Sequence, residues 1–243
     1  MQVVHGKRIF QALCVLLVIL SFAVGFFALP LLPAKAPIHW NIEGKANGFG
    51  PAWMAAFLVP IMIAFVAGLF FVIPKIEVRK DNLKKFESSY WLLALGLCVA
   101  FFAIFLFSLA PNFGYNFSMS FAVLGVIALL FIFMGLLMPS FKQNYFVGVR
   151  TPWALADERV WDATHKFSSK VFIAAGILFG LCALLPKHFF WLILAAILLM
   201  VFGTFGYSYW IYQKLHKSPA RAKMPEKGKL PAKGIKSAKK GKK

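Results

Sequence analysis

The chain has 243 residues, of which 60% are hydrophobic and only 14% are charged, and its formal net charge is +19. Soluble domains contain about 25% charged residues, so this composition excludes an ordinary water-soluble protein. The apolar residues form long unbroken blocks, near the roughly 20 residues that a helix needs to cross a bilayer. The sequence therefore predicts an all-α integral membrane protein with six transmembrane helices.

The six predicted spans contain no Asp, Glu, Lys, Arg or His. Ionisable groups inside a membrane are costly and usually functional, so their absence from the sequence of the spans argues against an ion-coupled pump. A receptor or a partner-binding bundle stays compatible with the spans. In chain order they are residues 9–32, 52–73, 90–110, 119–138, 171–185 and 189–212.

The distribution of basic residues predicts the orientation of the bundle. Cytoplasmic segments carry an excess of Lys and Arg, and a cytoplasmic N-terminus leaves only Lys35, Lys45 and Lys187 outside. Both termini are therefore expected in the cytoplasm. A cleavable signal peptide before Ala36 is the alternative, but the first block exceeds the roughly 7 to 15 apolar residues of such signals.

The spans and the distribution of charge divide the chain into four parts. Residues 1–74 form an N-terminal hairpin of two spans, residues 75–89 a basic cytoplasmic loop, and residues 90–213 a four-helix membrane domain. Residues 214–243 form a polybasic tail, whose composition predicts disorder. We expect this tail to contact anionic lipid headgroups rather than nucleic acid, because no aromatic residue lies among its lysines to stack on bases.

The extracytoplasmic loop after the first span is rich in turn-forming residues. Proline, asparagine and glycine recur in it beside a tryptophan suited to the membrane interface, which predicts a compact cap. The residues singled out are Pro37, His39, Trp40, Asn41, Gly44, Asn47 and Gly48.

The cytoplasmic loop before the fifth span predicts a turn followed by a short amphipathic surface helix. Gly148 can take positive φ, Thr151 is held extended by the next residue, and Pro152 suits a first helical turn. Apolar residues then recur at helical spacing and point to a helix on the cytoplasmic surface. They are Trp153, Val160, Trp161, Thr164, Phe167 and Val171.

Two chemical sites can be considered in this loop. Glu158, Asp162 and His165 have helical spacing, but no Cys or second His joins them, so we expect no metal and no cofactor. Arg150 could hold a phosphate or carboxylate, or could anchor the helix to lipid headgroups, and the sequence leaves both interpretations open.

The cytoplasmic loop resembles the signature of the SdpI family, immunity proteins against a sporulation-delaying peptide toxin. Its run from Asn144 to Leu155 is similar to the family pattern N-x-x-x-G-x-R-T-P-W-T-L, with Ala154 in place of the last Thr. The later V-W-x-x-T-H pattern is also present. The matching residues are Asn144, Gly148, Arg150, Thr151, Pro152, Trp153, Trp161, Thr164 and His165.

The extracytoplasmic loop resembles a short membrane domain of unknown function that often precedes the SdpI region. That domain usually carries P-x-H-(W/F)-N-x-x-G-x-x-D-G, and here Asn47 stands where Asp is common.

The resemblance implies a non-enzymatic protein of the bacterial cytoplasmic membrane. Its implied partners are a membrane-active peptide toxin and a transcriptional repressor captured at the membrane. The alternative is a lipid- or small-molecule-handling transporter or enzyme that uses Arg150 and the surface helix, with His39 or His165 as acid or base.

Overall fold

A computed structural model describes residues 2–185 and 189–217, with side chains from Gly6 onward. Six helices are long and apolar enough to cross a membrane, which confirms the predicted fold class. The predicted tail lies outside the described residues from residue 218 onward, as does the loop at 186–188. The helices are α1 (Gln2–Ala28), α2 (Ala52–Ile76), α3 (Lys80–Lys85), α4 (Glu87–Leu109), α5 (Met119–Leu137), α6 (Pro152–Ala156), α7 (Glu158–Leu184), α8 (Phe189–Leu198) and α9 (Thr204–Lys217).

The sixth span consists of α8 and α9, which are joined by a π-helical turn over Leu199–Gly203. Turns of this kind are rare and occur mostly as single-turn insertions in α-helices. Here the backbone N–H and the hydroxyl of Thr204 both donate to the carbonyl of Met200. The helix therefore continues through the irregularity with its polar backbone satisfied, as a bilayer requires.

The helices alternate in direction and so give the bundle two different ends. The basic end contains the residues after α2 and the loop between α5 and α7. The hairpin end contains a two-stranded antiparallel sheet, β1 (Lys35–Trp40) and β2 (Ala46–Pro51), which the sequence predicted only as a compact cap. Which end faces the cytoplasm stays a prediction from the charge distribution.

The segment predicted as a surface helix is divided in the structure. The short helix α6 ends at Ala156, Asp157 is extended, and α7 then runs without interruption from Glu158 to Leu184. The amphipathic residues from Val160 onward therefore form the first turns of the fifth span itself. The α7 helix is 27 residues long, so its first turns can project beyond the roughly 30 Å hydrocarbon layer.

Small residues allow α5 and α7 to pack closely, and these two helices share the most extensive interface. A Cβ atom on Gly135 would lie 2.8 Å from the carbonyl oxygen of Ser169, and one on Gly176 would lie 2.7 Å from that of Ala128. Close backbone approach through glycine is a common way to associate helices in lipid, where no hydrophobic driving force acts between them.

Aromatic side chains dominate the buried core near the basic end. Trp161, Tyr90 and Phe141 are each at most 3% exposed. The Tyr90 hydroxyl donates to the carbonyl of Phe70 at 2.8 Å, and the Trp161 indole N–H donates to the carbonyl of Phe141 at 2.8 Å. These polar tips are satisfied, so the core rigidly supports the loop between α5 and α7.

Candidate functional site

The loop over residues 141–151 folds around the side chain of Asn144, which is fully buried. Its amide nitrogen donates to the carbonyls of Lys142 and Val147, and its oxygen accepts from the N–H groups of Phe146 and Val147. All four bonds measure 2.7 to 2.9 Å. Every hydrogen-bonding position of the amide is used, so Asn144 shapes the loop and has no capacity left for a ligand.

Glu77, just after α2, holds the same loop from the other side. Its carboxylate is 1% exposed and accepts from the N–H of Arg79 at 2.7 Å and of Tyr145 at 3.0 Å. A buried carboxylate without such donors would be expensive, so this anchor fixes the loop to the end of α2. The sequence analysis missed Glu77. Its position directly after the second span, between Lys75 and Arg79, was the signal that could have found it.

A second link joins α3 to the loop and then to α6. The Asn82 amide donates to the carbonyl of Gln143 at 2.9 Å. The Gln143 amide in turn donates to the carbonyls of Ala154 at 2.7 Å and Leu155 at 3.1 Å. These bonds satisfy carbonyls at the end of the short helix α6, where no helical partner exists.

His165 is a structural residue of the loop in this arrangement. It is 1% exposed, its Nδ1 lies 2.9 Å from the carbonyl of Trp161, and its Nε2 accepts from the N–H of Val149 at 3.1 Å. These partners require a neutral ring with its proton on Nδ1. Both nitrogens are occupied, and the described part of the chain contains no group of three metal-ligating side chains.

Gly148 lies directly against this histidine. Its φ is +106°, a conformation that residues with side chains rarely adopt, and a Cβ atom here would collide with Nε2 of His165. The glycine of the loop motif and its histidine therefore occur together for a packing reason, because only glycine lets Val149 reach the ring.

Thr151 ties the motif to the last span. Its hydroxyl accepts from the N–H of Ala154 at 3.1 Å, which caps α6, and lies 2.5 Å from the hydroxyl of Ser208 in α9. Both hydroxyls are fully buried. Pro152 takes the first turn of α6 as predicted, and Trp153 packs on Tyr209 with ring centroids 5.0 Å apart.

Thr164, in the second turn of α7, is also fully buried. Its hydroxyl has no hydrogen-bond partner among residues 6–185 and 189–217, and neither has that of Ser168 one turn later. A hydroxyl in a helix commonly bonds to the carbonyl one turn earlier, but neither of these two hydroxyls makes that bond here.

Arg150 is the charged residue of the motif, and it is exposed. Its guanidinium donates to the carbonyl of Tyr145, whose ring lies 5.0 Å below the guanidinium carbon of Arg79. Tyr145 is itself 41% exposed. The Arg150 guanidinium and the Tyr145 phenol are therefore presented together at the surface of the basic end, on a loop that buried residues hold in place, while Arg79 is partly buried and donates to the carbonyl of Leu155 at 3.4 Å.

Asp157 connects α6, α7 and the end of α9. It caps α7 by accepting from the N–H of Arg159 at 2.9 Å, and its carboxylate pairs with Arg159 at 2.7 Å and with His216 at 3.4 Å. The hydrogen bond from the Arg159 side chain lowers the pKa of Asp157 to about 2. The carboxylate is therefore ionised at neutral pH and holds the three elements together electrostatically.

At the other end of the bundle, Asn41 builds the turn between β1 and β2. Its N–H donates to the carbonyl of Lys45 and its side-chain oxygen accepts from the N–H of Lys45, both at 2.9 Å. Gly44 has a φ of +78°, and a Cβ atom on it would lie 2.6 Å from the hydroxyl of Ser118. The turn therefore needs glycine for its conformation and for its contact with the start of α5.

The histidine and the asparagine of the hairpin motif contact each other across the strands. Nδ1 of His39 lies 2.6 Å from Oδ1 of Asn47. Asn47 replaces the Asp that is common at this place, and it keeps an acceptor oxygen while losing the charge. Pro37 pairs with Phe49 in the register, and Gly48 faces His39, whose Cβ would lie 2.8 Å from a Cβ on the glycine.

The hairpin roofs a cavity of about 390 Å³ that opens between α2, α4, α5 and α8. Its walls are mainly apolar, and the polar groups of His39, Asn41, Ser108 and Ser120 lie around it. The Ser120 hydroxyl donates to the carbonyl of Ile42 at 2.8 Å, so the roof is fastened to α5. A partly apolar cavity with a few polar groups is typical of ligand sites, which range from about 300 to 1,000 Å³.

The sequence-predicted residues therefore form two separate groups, one at each end of the bundle. Comparisons with known proteins divide the chain in a similar way. Residues 140–208 match the SdpI/YfhL protein family, and residues 16–64 match a domain of unknown function, DUF1648.

One characterised relative extends the similarity beyond these two regions. "Immunity protein SdpI" of Bacillus subtilis (strain 168) is 26% identical over 206 residues, which cover 84% of this chain and 96% of that protein. No solved structure matches the chain. The resemblance drawn from the loop motifs is confirmed: the chain is a multi-pass bacterial membrane protein that is similar to the SdpI/YfhL family over residues 140–208 and to DUF1648 over residues 16–64.

Proposed function

We propose that this protein is a non-enzymatic immunity protein that protects its host from a membrane-active peptide toxin. The similarity to an immunity protein over 96% of that protein's length carries the proposal. Because the similarity includes both ends of the bundle, the proposal assigns a role to each end.

The hairpin-roofed cavity is the proposed site for the toxin. Under the predicted orientation it opens on the extracytoplasmic side, where a secreted peptide would arrive. Apolar walls from Val59, Ile104 and Val123 suit an apolar peptide side chain, while His39 and Asn41 are placed to meet polar backbone groups.

The exposed surface of Tyr145 and Arg150 is the proposed output side. Under the same orientation it faces the cytoplasm, where a captured transcriptional repressor would bind. Exposed aromatic and arginine side chains on a fixed loop are favourable for a protein interface, because little conformational entropy is lost when a partner binds.

Survival of toxin-treated cells tests the immunity role. Bacteria that lack their own immunity protein would express this chain and be exposed to the sporulation-delaying peptide toxin. We expect survival to rise with expression. Killing curves that are identical with and without the protein, at verified membrane levels, would contradict the proposal.

Arg150→Ala tests the output side, with Arg8→Ala as the matched control. Both arginines are exposed at the basic end, but only Arg150 belongs to the loop motif. We expect Arg150→Ala to abolish protection at unchanged membrane abundance and Arg8→Ala to retain it. Equal protection by the two variants would remove Arg150 from the mechanism.

A lipid-handling enzyme or transporter is the competing function. It would need an accessible acid or base. Both ring nitrogens of His165 are bonded, and His39 is exposed with Nδ1 bonded to Asn47, so Nε2 of His39 is the ring nitrogen that this function would have to use. Lipid extracts of cells with and without the protein separate the two functions, since only the competing one requires a changed lipid profile.

A further inference from the structure

A cleft of about 500 Å³ lies between α7 and α9, and its lining includes none of the motif residues singled out above, although it borders them along α7. Its lining combines basic, acidic and aromatic side chains, which are Arg159, Asp162, Lys166, Phe167, Lys170 and Tyr207. Three of the four charged residues are cations, and they follow one face of α7 at helical spacing. The cleft is therefore a basic groove rather than an apolar one.

Some of the charged side chains that line the cleft already form ion pairs, and others do not. Arg159 pairs with Asp157 at 2.7 Å, and Asp162 pairs with Lys142 at 3.6 Å. In the part of the chain that the structure describes, Lys166 and Lys170 are exposed and take part in no ion pair. The neutralised acid and the two remaining ammonium groups give the cleft a positive charge for an anionic ligand.

The depth of the cleft in the bundle matches the headgroup region of a bilayer. The apolar part of α7 begins at Val171, directly after Lys170. Tyr207 stacks on Phe167 with centroids 4.1 Å apart, and its ring lies 5.6 Å from that of Trp210. Tyrosine and tryptophan concentrate at the level of the headgroups, where one end of the ring is apolar and the other is hydrated.

An apolar surface continues below the cleft toward the membrane centre. Ile177 lies seven residues after Lys170, on the same face of α7, and is 53% exposed. A ligand with an acyl chain could therefore place its chain along this face while its charged group stays between the lysines. A soluble anion would use only the upper part.

We propose that this cleft binds the phosphate of an anionic phospholipid. The ammonium groups of Lys166 and Lys170 donate to the phosphate oxygens, the Tyr207 hydroxyl offers a further donor, and the acyl chains follow the face of α7 past Ile177. Charge-assisted bonds from ammonium groups to phosphate are among the stronger hydrogen bonds in proteins.

Native mass spectrometry of the full chain in detergent tests the proposal. The probes are phosphatidylglycerol and phosphatidylcholine, and the test variant is Lys166→Gln/Lys170→Gln. A lysine near an anionic surface contributes roughly a factor of five in affinity, so losing two should weaken phosphatidylglycerol binding by about 30-fold. Phosphatidylcholine binding should be weak and unchanged in every variant.

Lys75→Gln/Lys80→Gln is the matched control, since these two lysines are exposed at the same end but do not line the cleft. The polybasic tail is present in all variants and adds the same background. Equal losses in the test and control variants would show a diffuse charge effect and overturn the proposal.

Two further measurements separate the remaining explanations. Lys166→Arg/Lys170→Arg keeps both charges and should retain phosphatidylglycerol, so its failure to do so would contradict a headgroup clamp. Inorganic phosphate should not displace the lipid at millimolar concentration. Full displacement would instead assign the cleft to a soluble phosphate.

Discussion

The backbone N–H of Val149 donates to Nε2 of His165 across 3.1 Å, which fixes the loop to a helix residue 16 positions later. The ring is buried and its other nitrogen lies against the carbonyl of Trp161. The glycine, tryptophan and histidine of the motif therefore form one packed unit. The sequence spacing of these three residues follows from their contacts in this unit. Arg150, on the same loop, is exposed at the surface.

Gly148→Ala should destabilise the protein more than Gly114→Ala. Both glycines have positive φ, which costs an alanine about 1 to 2 kcal/mol, but a Cβ at position 114 meets no neighbour within 4 Å. At position 148 it collides with His165, and overpacking adds about 1 to 3 kcal/mol. Free energies of unfolding in mixed micelles measure the difference, and equal values would exclude the collision.

Glu77→Ala should loosen the loop at the basic end. Two backbone N–H groups would lose a charged acceptor, and hydrogen bonds to charged groups contribute about 1.5 to 3 kcal/mol each. Hydrogen exchange at the amide of Tyr145 measures the effect directly. The control is Glu43→Ala, whose carboxylate is exposed and, among the described residues, pairs only with Lys45. Unchanged protection of Tyr145 in the Glu77 variant would show that the carboxylate does not hold the loop.

The spans could be predicted from the sequence because a long apolar segment in lipid must satisfy its backbone hydrogen bonds within itself, and a helix does so. The sequence also indicated the loop motifs, but it offered His165 as a possible acid or base, whereas both of its ring nitrogens are bonded. A histidine with polar neighbours in sequence gives no indication that Val149 will reach its ring from a separate loop. Glu77 and Ser208 were missed for the same reason, since their partners Tyr145 and Thr151 lie 68 and 57 residues away.

Thr151 and Ser208 should be energetically coupled. Their hydroxyls lie 2.5 Å apart in a buried position, and a buried hydrogen bond of this kind contributes about 0.5 to 1.5 kcal/mol. A double-mutant cycle with Thr151→Val and Ser208→Ala should give a coupling energy in this range. Thr151→Val combined with Ser108→Ala is the control, because Ser108 bonds to Phe105 at the opposite end and its effect should be additive.

Asp157→Asn should remove a pH-dependent part of the stability. The pKa of Asp157 is lowered to about 2 by Arg159, so its carboxylate stabilises the fold above the ordinary aspartate pKa, and this contribution disappears as pH falls toward 2. Asparagine keeps the helix cap and loses only the charge. The stability difference between wild type and variant should therefore shrink between about pH 4 and pH 2.

Melting temperatures in acid-stable detergent across this pH range measure the effect. Glu158→Gln is the control, since it removes an exposed neighbouring carboxylate that makes no ion pair among the described residues. A difference between wild type and Asp157→Asn that stays constant with pH would mean that the ion pairs with Arg159 and His216 do not contribute.

Val123→Phe should reduce protection from the toxin if the hairpin-roofed cavity is the binding site. The larger ring would occupy the space between α5 and the hairpin, and overfilling a site costs about 1 to 3 kcal/mol, or roughly 5- to 150-fold in affinity. Val72→Phe introduces the same ring at a valine of α2 that is 45% exposed and lines no part of this cavity, so it should leave survival unchanged. Killing curves at matched membrane abundance compare the two variants. Full protection by Val123→Phe would show that the toxin does not bind in the cavity. Loss of protection in Val123→Phe but not in Val72→Phe would show that the hairpin end is needed for immunity, and this result would not depend on the role of Arg150.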